Sequence, residues 1–188
     1  LFRCVNFCDK AGPMLPFATP RLSGPLAGAL LIAASAAVMP APASARESLG
    51  LYSDWGAFRD PLIPRCYAIA KPLPSTAQRD YQPYVGVGTW PKRGVRNQIH
   101  FRLSRQMAET PKITLRIGSQ SFNLTGGGGD AWPADQTMNA AISAAMRSAR
   151  QMTVSATDAK GRRFSNIWNL PGAASAMDAA ALGCARLR

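Results

Sequence analysis

The chain reads as a mainly β protein, an antiparallel β-sandwich carrying two short helices. Three observations predict this. Apolar and polar residues alternate with period two through much of 84–124. A glycine-bearing hairpin turn, Asp158-Ala-Lys-Gly-Arg162, separates two further alternating runs. Two later segments instead carry apolar residues at helical spacing. Short strands in number with two helices favour a decorated sandwich.

Taken in order, 66–70 and 84–90 are strand candidates on either side of a loop holding Pro72, Pro74 and Pro83. In 98–104, Ile99, Phe101 and Leu103 share one face, while Arg96, Gln98, His100 and Arg102 share the other. Segment 112–118 repeats the scheme, with Ile113, Leu115 and Ile117 inward and Lys112, Thr114 and Arg116 outward. Phe122 and Leu124 make a shorter strand after a Gly118-Ser119-Gln120 turn, and 152–157 and 164–170 flank the hairpin. Six or seven strands are implied. The first helix, about 135–149, puts Met138, Ile142, Ala145 and Met146 on one face. The second, about 173–185, lines Met177, Ala181 and Cys184 on one stripe, which turns Cys184 toward the core.

Ahead of this domain the sequence reads as an export leader. Between Arg21 and Arg46 no residue is charged, and 26–38 is almost wholly apolar or small, the length of a signal-peptide core and too short to span a bilayer comfortably. Pro40 and Pro42 then precede Ala43-Ser44-Ala45, a small-x-small pattern that places cleavage after Ala45. The expected organisation is an N-terminal extension over 1–13 ahead of a start at Met14, a signal peptide over 14–45, and one domain over 46–188. The Cys4 and Cys8 spacing in the extension matches no zinc or redox motif. The whole chain carries 22 Lys+Arg against 10 Asp+Glu. The part after Ala45 keeps 143 residues and a net charge of +10.

Two cysteines remain in that part, Cys66 and Cys184. In an oxidising compartment a disulfide is the default, worth roughly 4–5 kcal/mol for so long a loop on the chain-entropy model. The other reading sets a free thiolate beside His100.

Little else in the sequence supports catalysis. Gly126-Gly-Gly-Gly-Asp130 lacks the Lys-Ser/Thr of a phosphate loop and reads as a loop. Asp130 and Asp135 are too few carboxylates for a calcium cage, and the Asn123-Leu124-Thr125 sequon lies in strand pattern. No carboxylate partner for His100 is readable nearby, and Ser119 and Ser121 sit in no nucleophile elbow. No catalytic residue, cofactor or metal is expected.

Positive charge is the sharper signal. If the strands at 96–104 and 112–118 are neighbours, Arg96, Arg102, Lys112 and Arg116 meet on their outer faces, with Lys92 and Arg93 in the preceding turn. That patch would bind an anion or partner. Its bland alternative is a solvated face that keeps sheet edges from aggregating. Nucleic acid fits poorly, because the chain reads as exported and Tyr84, Trp90 and Phe101 do not interleave regularly with basic residues. Lipopolysaccharide, phospholipid headgroups or an acidic partner protein fit the compartment better, with membrane association peripheral at most.

The ordered set Trp55 with Phe58, Cys66-Tyr67-Ala68, Lys71-Pro72, Tyr84-Val85-Gly86-Val87, Pro91 and Val95-Arg96-Asn97 resembles the invasion-associated locus B family of exported bacterial proteins. The later half agrees, through Ile117-Gly118, Phe122-x-Leu124, Ala131-Trp132, Asp135, Ala144-Ala145-Met146, Trp168-Asn169-Leu170-Pro171-Gly172, Ala176, Asp178 and Cys184. The match covers about 51–185. The resemblance implies an immunoglobulin-like antiparallel β-sandwich, residence in the periplasm or at the outer membrane, the Cys66–Cys184 bridge, and an association with host invasion in pathogenic members. It carries no catalytic residue. The run Arg162-Arg163-Phe164-Ser165-Asn166-Ile167-Trp168 departs from the family's tendency toward small hydroxyl residues and an aromatic, so a contact made at that hairpin edge would differ. The functional expectation is a non-enzymatic envelope-associated binding protein. The alternatives are an envelope-modifying enzyme and a structural accessory of the envelope.

Overall fold

Alternation of side chains, with small residues wherever backbones approach, builds ten antiparallel strands among the described residues, 46–185 of a computed structural model. The expected leader over 14–45, its cleavage point after Ala45, and the extension with Cys4 and Cys8 lie outside the described residues. The strands are β1 (Glu47–Tyr52), β2 (Trp55–Asp60), β3 (Arg65–Ala70), β4 (Tyr84–Trp90), β5 (Val95–Arg102), β6 (Ile113–Ile117), β7 (Gln120–Gly127), β8 (Asp130–Trp132), β9 (Gln151–Thr157) and β10 (Arg163–Asn169). The helices are α1 (Gln136–Ser148) and α2 (Ala173–Cys184).

Ten strands exceed the six or seven expected, and the additions have a physical explanation. β1 and β2 carry Gly50 and Gly56, and Trp55, Gly56 and Ala57 are buried in succession, so period-two alternation is hidden there. β8 pairs with the end of β7 through the glycine run, which is a hairpin and not a free loop: Gly126 faces Ala131 and Gly127 faces Asp130. Gly126 is required, because a Cβ there would lie 2.1 Å from Asp130 O.

The strands follow one another in the order β1-β2-β3-β4-β5-β8-β7-β6-β9-β10. Residues 120–124 of β7 pair with β6, and residues 125–127 pair with β8, so one strand serves both halves. The halves meet across a common core. Phe101 on β5 and Trp168 on β10 lie 5.7 Å apart between ring centroids, and Trp55 Nε1 on β2 donates to Asn169 O on β10 at 2.9 Å. The mainly β, sandwich-like architecture with two helices is as the sequence predicts.

Both helices close this core. α2 packs on β1 to β4 through Ala173, Ala176, Met177, Ala180 and Cys184, against a sheet whose buried residues include Ala57, Ala68 and Ala70. Small side chains on both sides let the helix approach closely. Ala181, expected in that stripe, is exposed, because the helix presents its 173/176/177/180/184 face to the sheet. Cys66 Sγ and Cys184 Sγ are bonded at 2.07 Å, tying β3 to the last turn of α2. α1 starts at Asp135, whose side chain accepts from Met138 N at 2.7 Å. Its buried Asn139 accepts from Ile99 N and donates to Asn97 O, both at 2.9 Å, which pins the helix to β5. Arg147 bridges to Asp178 at 2.7 Å, joining α1 to α2. That contact holds the Asp178 carboxyl below its ordinary value.

Candidate binding groove on the outer face of β2 to β5

The basic patch expected from the sequence does not assemble. β5 and β6 are separated in the sheet by β8 and β7, so Arg96 and Arg102 belong to one half while Lys112 and Arg116 belong to the other. The alternation of each strand is as expected, but strand order cannot be read from alternation. Lys92 and Arg93 sit exposed in the short 3-10 turn Pro91–Arg93 after β4. Arg102 is engaged: it pairs with Asp130, and its guanidinium carbon lies 3.9 Å from the Tyr81 ring centroid. Lys112 and Arg116 are exposed and make no ion pair among the described residues. Cys66 and Cys184 are bonded to each other, so neither is a thiolate beside His100.

His100 has the carboxylate partner that local sequence did not reveal. Its Nε2 lies 2.9 Å from Asp130 Oδ1, and the other Asp130 oxygen takes Arg102. The pairing follows from sheet register, since Arg102 stands opposite Asp130 across β5 and β8. The glycine hairpin is the sequence signal that could have placed Asp130 there. Trp132, two residues on, stacks on the His100 ring at 5.1 Å, and Tyr84 meets the same ring edge-on at 5.6 Å.

Beside this cluster lies a groove of about 360 Å³. Its floor is glycine: Gly86 stands opposite His100, and Gly88 opposite Gln98. A Cβ on Gly86 would meet nothing closer than 3.9 Å, so that spot is open to a ligand. At Gly88 a Cβ would collide with the Trp90 ring at 2.5 Å, which places the indole across the strand. Tyr67, Tyr84 and Trp90 supply aromatic sides, and Arg46, Arg65, Gln98 and His100 supply the polar ones. Arg65 lies over the Tyr67 ring, 5.0 Å to the centroid, and reaches Asp60 only at 3.4 Å. Its Nε is buried with no hydrogen-bond partner among the described residues.

A second groove of about 780 Å³ meets the first at Ile69 and Tyr84. Leu51, Phe58, Ile69, Leu73, Pro74 and Pro83 make it mostly apolar, with Lys71 and Arg79 on the loop side. Its outer wall is the 71–83 loop, long for an ordinary connection. The loop is tethered by Leu73 N to Ile167 O at 2.7 Å and by Asp80 N to Ser104 O at 2.8 Å. Arg105 Nε adds a bond to Gln78 O at 3.1 Å. Both volumes fall in the usual range for small-ligand sites, roughly 300–1,000 Å³.

A different polar cluster holds the β9–β10 hairpin. Asp158, 3% exposed, accepts from Lys160 N, Arg162 N and the guanidinium groups of Arg105 and Arg162. Burial by itself raises the carboxyl, but the Arg162 amide and guanidinium, the Arg105 guanidinium and the Lys160 amide outweigh it and hold it well below the usual carboxylate range. Every Asp158 contact is structural. Among the described residues no three His, Cys, Asp or Glu side chains are grouped to hold a metal ion, and no helix is long and apolar enough to cross a membrane. The chain matches no family model, and no curated protein or solved structure matches it significantly.

Proposed function

We propose that this is an exported, envelope-associated binding protein, as its resemblance to invasion-associated locus B proteins implies, and that its outer-face groove takes the phosphorylated headgroup of an envelope lipid. The observation that carries this reading is the Arg65 guanidinium lining the same groove as the open glycine floor at Gly86. The carboxylate partner of Arg65, Asp60, is met only at 3.4 Å, and a guanidinium so weakly engaged favours an oxyanion. Tyr67 and Trp90 offer flat apolar surface for the carbon skeleton next to it. The cations expected to act as one patch thus give way to Arg65 and Arg46 as the anion-facing groups.

Tryptophan fluorescence of the protein titrated with butyl phosphate tests the reading, with a Trp90→Phe variant to assign the signal. Saturable quenching that depends on Trp90 and weakens as sodium chloride rises is expected. No saturation, or binding indifferent to salt, overturns it. His100 with Asp130 keeps an enzyme acting on the same material as the second reading, and release of inorganic phosphate or butanol during the titration would favour it.

A further inference from the structure

From the larger groove we infer that the protein takes up an alkyl chain of that lipid, holding single lipid molecules instead of only docking on a membrane surface. This rests on the headgroup reading above. The two grooves share Ile69 and Tyr84 as a common sill, so one amphiphile can put its phosphate over Gly86 and its tail under the 71–83 loop. The amides that tether that loop are already spent: Leu73 N on Ile167 O, and Asp80 N and Tyr81 N on Ser104 O. A peptide laid in the groove would find none of these donors, and the groove runs over the face of the sheet, not along its edge. Hydrocarbon asks for no hydrogen bonds. Lys71 and Arg79 on the same loop add positive charge near the tail's entrance, and Asp54, the acid there, accepts from Asn169 Nδ2 at 3.0 Å. An apolar trough rimmed by cations complements an anionic amphiphile and disfavours a neutral polar ligand.

The test is a chain-length series of alkyl phosphates, butyl to dodecyl, titrated below micelle formation into the protein in the form the cell leaves it, with alkyl glucosides as uncharged controls. Affinity for the phosphates is expected to tighten roughly two- to fourfold per added methylene, the lower figure for a chain buried on one side only, until the tail outgrows the groove. Leu73→Glu and Leu51→Glu, at exposed positions that line the larger groove and not the headgroup groove, should each flatten that slope while leaving butyl phosphate binding in place. If phosphates bind with no dependence on chain length, the uptake inference fails and the headgroup reading survives. If glucosides bind as well as phosphates of equal length, the tail inference stands and the headgroup reading fails. Absence of binding by any member overturns both.

Discussion

On the outside of β6, β9 and β10, Thr114, Ser155 and Ser165 stand side by side in register, with Thr153 beside Arg116 in the next row. Lys112, Arg150 and Arg163 project around them, exposed. On the outside of β2 to β5 the corresponding positions hold Phe58, Tyr67, Ile69, Tyr84 and Trp90, relieved by Gly86 and Gly88. One half therefore presents rows of short hydroxyls with solvated cations around polar grooves, and the other an uneven aromatic surface with gaps in it. Short β-branched and hydroxyl side chains with charge are what a sheet needs to stay soluble beside an open edge. Aromatics over glycines leave concavity, which is what a ligand needs. The difference teaches that neither charge nor concavity alone marks the functional face here: the cations of the hydroxyl half border grooves of about 490 and 630 Å³, but neither has the apolar, aromatic lining of the other half.

The comparison can be broken most forcefully through covalent structure. The Cys66–Cys184 bond ties α2 to β3, inside the grooved half, and closes a loop with a sequence separation of 118. Replacing either cysteine with serine should cost about 2–5 kcal/mol, read as a lower denaturant midpoint. Hydrogen exchange should show the loss of protection concentrated in β1 to β4 and α2 while β9 and β10 keep theirs. Equal midpoints with and without the bond would defeat the claim. The other half has its own fastener in Asp158. Because its folded-state value is depressed, its contribution is complete above the unfolded carboxylate value of about 4 and is lost as pH falls from there toward the folded value. Asp158→Asn should therefore lower the thermal midpoint at neutral pH, and the gap to wild type should close in acid. A gap that is unchanged at low pH would show that the charge is not what the hairpin uses.

Much of this was legible in the sequence, and the limits have a clear origin. Alternation placed Ile99, Phe101, Leu103, Ile113, Leu115 and Ile117 correctly in the core, because burial of one sheet face is written with period two. Spacing placed Met146 and Ile142 inside α1 for the same reason at period 3.6. Strand order is a property of long-range pairing, and nothing local to Arg96 or Lys112 tells which strand lies alongside. The contact between His100 and Asp130 was hidden for that reason. The groove was hidden for another: Gly86 and Gly88 read as weak strand residues, and their value appears only once Tyr67 and Trp90 stand on either side.

The groove itself yields the next prediction in size. Gly86→Leu fills the open floor without strain, since a Cβ there meets only ordinary contact, and it removes a flexible residue from a strand, which does not harm stability. Affinity for butyl phosphate should fall at least about tenfold, near 1.4 kcal/mol, with the thermal midpoint held or raised. Unchanged affinity would move the site elsewhere on the surface.

The smallest effect is expected from the residues that the sequence favoured. Reversing Lys112 and Arg116 together, to Lys112→Glu and Arg116→Glu, changes the long-range field by four charges on the hydroxyl face. Both groups are exposed, and neither lines either groove on the opposite half. Exposed charges farther from a ligand than the Debye length, about 8 Å at physiological ionic strength, are largely screened, so the double reversal should shift butyl phosphate affinity by no more than about threefold, less than 1 kcal/mol, and even that shift should vanish as salt is raised. A loss comparable to that of Gly86→Leu, persisting at high salt, would mean that the hydroxyl face binds the ligand directly, and the roles assigned to the two halves would have to be exchanged.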